Sequence, residues 1–191
     1  MKTDIEKWLR EEGKVFFEDI GIKKGQNILD FGCGAGHYTI PAAKVVGKNG
    51  RVYALDKDTE ALNQLTQKAE SEGLDNIVTI CNQSKELEIN LEDESIDVML
   101  LYDILHYMES EKRRRVYENA CRILKAGAIL SVYPKHRRSD EPLWNLADME
   151  LEDVIGEIER AKFHLERKFK KKLIHNGIRS SRCPKFQRRV R

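Results

Sequence analysis

Short apolar blocks alternate with polar, glycine-bearing stretches along most of the chain, and the spacing inside each block decides which element it predicts. Thr3-Asp4-Ile5-Glu6 fits a capping box, and Ile5, Trp8, Leu9 and Phe16 fall near one helical face interrupted by Gly13, predicting a leading amphipathic helix over residues 1–20. Asn27-Ile28-Leu29-Asp30-Phe31 reads as a short buried strand that runs into the cluster Gly32-Cys33-Gly34-Ala35-Gly36. A helix is expected from about His37 to Val46, stopped by Gly47, and residues 51–55 make a second strand ending at Asp56. Asp58 caps the next helix, whose Ala61, Leu62, Leu65 and Ala69 repeat at helical spacing before Gly73. Residues 76–81 form a third strand, and residues 96–101 a fourth, nearly continuous in apolar residues as a parallel strand covered on both faces is.

Farther along, Ser110 starts a helix with Val116, Ala120, Ile123 and Leu124 as its buried stripe; Gly127 is expected to end it, and residues 128–133 form strand five. Leu151, Val154, Ile155 and Ile158 mark one more helix, Phe163, Leu165 and Phe169 alternate as in a more exposed strand, and Asn176-Gly177 signals a hairpin. Residues 178–185 alternate poorly and carry Pro184, so the last strand is expected to be shortened or replaced by the basic tail 178–191. Strand and helix alternate five times, which demands right-handed crossovers: an α/β fold with an open, doubly wound, mostly parallel sheet.

The 191 residues suit one domain, and 40% hydrophobic residues exclude wholesale disorder. Cys33, Cys81, Cys121 and Cys183 never form a C-x-x-C pair, so zinc-ribbon and thioredoxin readings lack their spacing and reduced thiols are expected. Residues 1–6 carry no apolar signal region and no run of 18 apolar residues occurs, so the expected location is cytoplasmic, with no membrane partner. Charge is unevenly divided: residues 151–191 hold 13 Lys+Arg against 5 Asp+Glu, the only stretch with a balance suited to nucleic acid. That stretch has only Phe169 and Phe186 among its later cations, which provides poorly for base stacking.

Chemistry concentrates at the predicted strand tips. The glycines at 32, 34 and 36 let backbone approach a ligand after strand one, and Asp56, 20 residues beyond Gly36, stands where a carboxylate reads two ribose hydroxyls. The dinucleotide fingerprint G-x-G-x-x-G needs glycine at position 37, which is His37, and the G-x-x-x-x-G-K-[ST] phosphate loop is absent. What remains, Asp30 followed by Gly32-Cys33-Gly34-Ala35-Gly36, resembles the first motif of class I S-adenosylmethionine-dependent methyltransferases. Val52-Tyr53-Ala54-Leu55-Asp56 looks like that family's second motif, and Ser95 through His106 like its fourth-strand segment. Leu124 through Leu130 is similar to its turn into strand five, with Ala126-Gly127-Ala128 where Pro-Gly-Gly is commoner.

The resemblance, spanning about residues 25–169, implies a seven-stranded Rossmann-like sheet and S-adenosyl-L-methionine as cofactor. It implies that Gly32, the Cys33 backbone and Gly34 pack against the methionyl and ribose parts, that Asp56 holds the ribose hydroxyls, that Gly36 and Lys57 also belong to the cofactor site, and that Asp30 binds the methionine amino end through water or orders the loop. Asn82, Gln83 or Ser84 would face the adenine, where the family often has Asp, and Tyr102 would lie under the sulfonium. The implied reaction is direct displacement of the methyl group, for which His106 or Tyr102 is the nearest candidate base by position. Tyr102-Asp103-Ile104-Leu105 lacks the Asn/Asp-Pro-Pro-Tyr pattern of amino-group methyltransferases of adenine and glutamine. A small-molecule acceptor is therefore expected; the alternatives are an RNA or protein methyltransferase docking through the basic tail, and a binding protein without transfer activity.

Overall fold

The computed structural model describes residues 4–83, 88–134, 145–146, 148–169, 173–175, 178–180 and 183–188. Ser84, Asn176 and Gly177 lie outside them, as do residues 181–182 and 189–191 of the basic tail. The described helices are α1 (Asp4–Lys7), α2 (Gly13–Asp19), α3 (Thr39–Val46), α4 (Thr59–Ser71), α5 (Ser110–Ile123) and α6 (Leu151–Arg160). The strands are β1 (Asn27–Phe31), β2 (Arg51–Asp56), β3 (Ile77–Cys81), β4 (Ile96–Tyr102), β5 (Leu124–Tyr133), β6 (Phe163–Phe169), β7 (Leu173–His175), β8 (Ile178–Ser180) and β9 (Cys183–Arg188). Seven of them form one sheet in the order β3-β2-β1-β4-β5-β9-β6, and β7 pairs with β8 in a second. Pairs β1–β2, β2–β3 and β4–β5 are parallel, whereas β9 runs antiparallel to both neighbours. The expected α/β, mostly parallel, seven-stranded sheet is thus present, last strand included.

The chain divides into two compact units, residues 1–83 with 171–180 and residues 84–170 with 181–191. In the first, the leading segment is helical from Asp4 to Asp19, with a π-helical stretch Trp8–Glu12 joining α1 to α2. A π-turn shifts the register of the helix face, and within it the Leu9 carbonyl accepts from Lys44 Nζ at 2.8 Å. Gly13 does not interrupt this helix: a Cβ there would stand 2.8 Å from Pro41, so its missing side chain lets α2 approach α3. Trp8, Phe16 and Phe17 are core contacts, Trp8 meeting Tyr38 edge-on at 5.7 Å. Asp58 caps α4 as expected, its carboxylate accepting from the backbone of Glu60 and Ala61 at 2.9 and 3.2 Å.

In the second unit the sequence expectation at Gly127 needs correction. Helix α5 ends at Ile123 and β5 begins at once with Leu124. Ile96 pairs with Leu124 but Val98 with Ile129, so one residue of β4 opposes four of β5. Gly127, at φ +73°, sits in this bulge, where its freedom serves the strand instead of a helix end. Pro184 does not prevent β9: it is in register with Lys168 of β6, while pairing to β5 begins only at Lys185. Buried Phe186 then anchors the strand. Among the described residues, no helix is long and apolar enough to cross a membrane.

Candidate functional site

Strand β1 delivers Asp30 and the glycine loop to the carboxyl end of the sheet, and β2 delivers Asp56 beside them. The amides of Gly32 and Cys33 both donate to the Leu55 carbonyl, at 2.8 and 3.1 Å, which ties the loop across to β2. Gly34 N–H then donates to Asp56 Oδ2 at 2.7 Å, and Asp58 N–H to Oδ1 at 3.0 Å. A carboxylate offers about four acceptor positions; two braced by backbone leave two directed elsewhere, the number that vicinal hydroxyls require. Gly36 has φ +82°, a backbone conformation that L side chains rarely adopt, and a Cβ there would crowd the Leu65 side chain of α4. At Gly34, φ +51°, a Cβ would meet no atom within 4 Å, leaving open space against bare backbone.

Asp30 is 1% exposed, and its Oδ2 accepts from the Thr39 hydroxyl at 2.6 Å. Burial pushes its carboxyl up to about 7; the Thr39 hydrogen bond works against that and the nearby Asp56 charge adds to it. The Cys33 thiol is driven upward by burial and by the same two carboxylates, so it stays protonated. Its position lines the loop without nucleophilic character. Asn82 N–H donates to the Asp56 carbonyl at 2.9 Å, which brings the end of β3 to the end of β2; Lys57 and Gln83 are exposed. Thr39 is the residue that motif reading missed, and Asp58, read as a helix cap, also braces Asp56 through its amide. Their signal was present: a hydroxyl opening the helix after the last glycine, and a cap residue two positions beyond the acid.

Tyr102 and His106 belong to the second unit. The Tyr102 hydroxyl shares a 2.6 Å hydrogen bond with Ser131 Oγ, and its ring meets Tyr133 edge-on. His106 lies in the 3-10 turn Leu105–Tyr107, 1% exposed, with Nδ1 3.6 Å from Asp103 Oδ1. Asp103 holds φ +57° and donates its N–H to the Tyr133 carbonyl at 3.1 Å, which turns the chain sharply after β4. A separate groove of about 700 Å³ between α5 and α6, lined by Arg114, Tyr117, Cys121, Glu157, Arg160 and Lys162 among others, has none of Asp30, the glycine-loop residues, Asp56, Tyr102 or His106 in its lining.

A family model described as a methyltransferase domain matches residues 22–176, more than half of the chain. The chain belongs to the methyltransferases. The class expected from the glycine loop and Asp56, dependent on S-adenosylmethionine, is the class found. Fifty per cent identity over 60 residues links this methyltransferase to the "Probable cobalt-precorrin-6B C(15)-methyltransferase (decarboxylating)" of Saccharolobus solfataricus, over 31% of this chain and 30% of that protein. A sterol 24-C-methyltransferase of Aspergillus fumigatus is 29% identical over 132 residues, 62% of this chain and 33% of that one. The matched stretch thus spans about a third of each of these curated relatives. The crystal structure of a SAM dependent methyltransferase from Aquifex aeolicus superposes with a TM-score of 0.75 at 24% identity, covering 96% of this chain and 92% of that one, and so shares its fold.

Proposed function

We propose that this methyltransferase passes a methyl group from S-adenosylmethionine to a small-molecule acceptor by direct displacement. The observation that carries the reading is the convergence of the Gly34 amide and the Asp56 carboxylate at 2.7 Å, with acceptor positions to spare and open space in front of Gly34. These residues fit an adenosyl group: Asp56 takes the two ribose hydroxyls, the Gly32–Gly34 backbone lies against the ribose and methionyl parts, and Asp30 serves the ammonium directly or through water. Asn82 and Gln83 face the adenine, where an amide both donates and accepts. The bound cofactor supplies an electrophilic methyl on sulfur.

What the chain contributes is alignment and exclusion of water. For acceptors that carry a proton we assign its removal to His106 over Tyr102, because Ser131 occupies the Tyr102 hydroxyl whereas Asp103 stands where it steadies an imidazolium. The small-molecule acceptor is supported by the precorrin and sterol methyltransferases among the relatives. It is supported too by three of the described cations of the basic stretch: Lys168, Lys185 and Arg188 are paired with Glu152, Glu166 and Glu94 at 3.1, 2.9 and 2.9 Å. Cations neutralised in this way contribute little to a phosphate track.

Calorimetry with S-adenosylmethionine, S-adenosylhomocysteine and NAD tests the site. The first two are expected to bind and NAD is not, and Asp56→Ala is expected to weaken binding at least tenfold, about 1.4 kcal/mol. Equal affinity in the variant removes Asp56 from the ribose role. Methyl transfer to RNA in place of a panel of small acceptors overturns the acceptor class.

A further inference from the structure

We infer that Thr39 is a positioning residue for the cofactor: its hydroxyl holds Asp30 in the ionised form that receives the methionyl ammonium, so one hydrogen bond governs how tightly the amino-acid end is held. The inference rests on the proposed cofactor site and goes beyond its motif residues, since Thr39 lies outside the glycine loop at the first position of α3.

Three observations carry it. Asp30 and Thr39 are both buried, at 1% and 0% exposure, and their oxygens are 2.6 Å apart with Thr39 donating. A donor to a carboxylate stabilises its charged form, and away from water no solvent molecule replaces a lost donor. The other described groups that act on Asp30 push the opposite way. Burial disfavours the charge, and Asp56 on β2 repels it. Cys33, on the loop above, stays neutral and cannot compensate. Thr39 is thus the group among these that favours the anion, and an ammonium arriving from the ligand would be the second. A protonated Asp30 has no charge to offer that ammonium.

Two consequences separate this role from simple packing. Affinity for a ligand bearing the ammonium rises with pH as Asp30 ionises, near neutrality, and a ligand lacking the amino-acid end shows no such rise. The experiment is calorimetry of S-adenosylhomocysteine and of 5′-methylthioadenosine between pH 6 and 8, on the wild type, Thr39→Val, Thr39→Ser and Asp30→Asn. For the wild type, S-adenosylhomocysteine affinity is expected to gain about tenfold across this range while methylthioadenosine stays flat. Thr39→Val, which keeps shape and loses the donor, is expected to move the rise to higher pH and bind S-adenosylhomocysteine about fivefold more weakly at pH 7, with methylthioadenosine unchanged. Thr39→Ser restores the wild-type profile, and Asp30→Asn abolishes the rise.

A Thr39→Val profile overlying the wild type overturns the inference and leaves the cofactor site intact. So does a rise that survives in Asp30→Asn, which would belong to another group such as exposed His37. Failure of both ligands to bind the wild type at any pH overturns the site and this inference together.

Discussion

Asp30 has a cost that can be read without any ligand. Burial raises its carboxyl to about 7, so between about pH 4 and pH 7 the folded chain keeps a proton that the unfolded chain releases. The folded state binds more protons in that window, and this group's contribution to stability therefore declines as pH rises through it and is flat above. Asp30→Asn removes the titration. The melting temperature of Asp30→Asn relative to the wild type is expected to climb by several degrees from pH 4 to pH 7.5 and then level off; a difference constant with pH would show that Asp30 ionises as freely when folded as when unfolded. The identity of this residue was legible in the sequence, as an acid at the end of a strand before a glycine cluster. Its bond to Thr39 was not, because two side chains nine positions apart meet only once the strand and the next helix have folded against each other. Gly36 follows the same logic: its place in the motif is visible in sequence, whereas the Leu65 side chain that a Cβ there would crowd comes from α4.

At the scale of elements, periodicity located β1 to β4 and helices α3 to α6 within a few residues, since each buries one face and the pattern records that face directly. Ends set by pairing were harder. The early start of β5 and the bulge around Gly127 depend on β4 across the ladder, and nothing local announces them. The π-stretch Trp8–Glu12 escaped for the same reason, its Leu9 carbonyl being held by Lys44 of another helix. Helix α6 shows what local chemistry does specify: Glu150 and Asp153 form a reciprocal capping box at its start. Beyond its other end, exposed Lys162 holds φ +69°, the conformation glycine favours past a helix terminus. Lys162→Gly is expected to raise unfolding free energy by about 0.5–1 kcal/mol in urea titrations with an unchanged m-value, and a loss of stability would mean that the lysine side chain contributes more than its backbone costs.

For the whole molecule, the consequential departure from expectation is β9. Poor alternation and Pro184 argued against it, yet it pairs with β5 from Lys185 to Gln187 and with β6 along its length. The sequence could not disclose this, because a strand flanked on both sides draws its stability from partners and Pro184 falls where the β5 ladder has not begun. Removal of residues 181–191 is accordingly expected to cost the second unit its cooperative unfolding transition, followed by near-UV circular dichroism. Retention of that transition would make β9 dispensable.

That insertion also orders events in time. Until the segment carrying Phe186 arrives, β5 and β6 each present a bare hydrogen-bonding rim, and some fifty residues of chain separate Tyr133 from Cys183. A nascent polypeptide paused in this interval is a template for neighbouring copies, so slowed translation across it should deposit the protein as insoluble material even though the finished chain has no such exposed rim between those two strands.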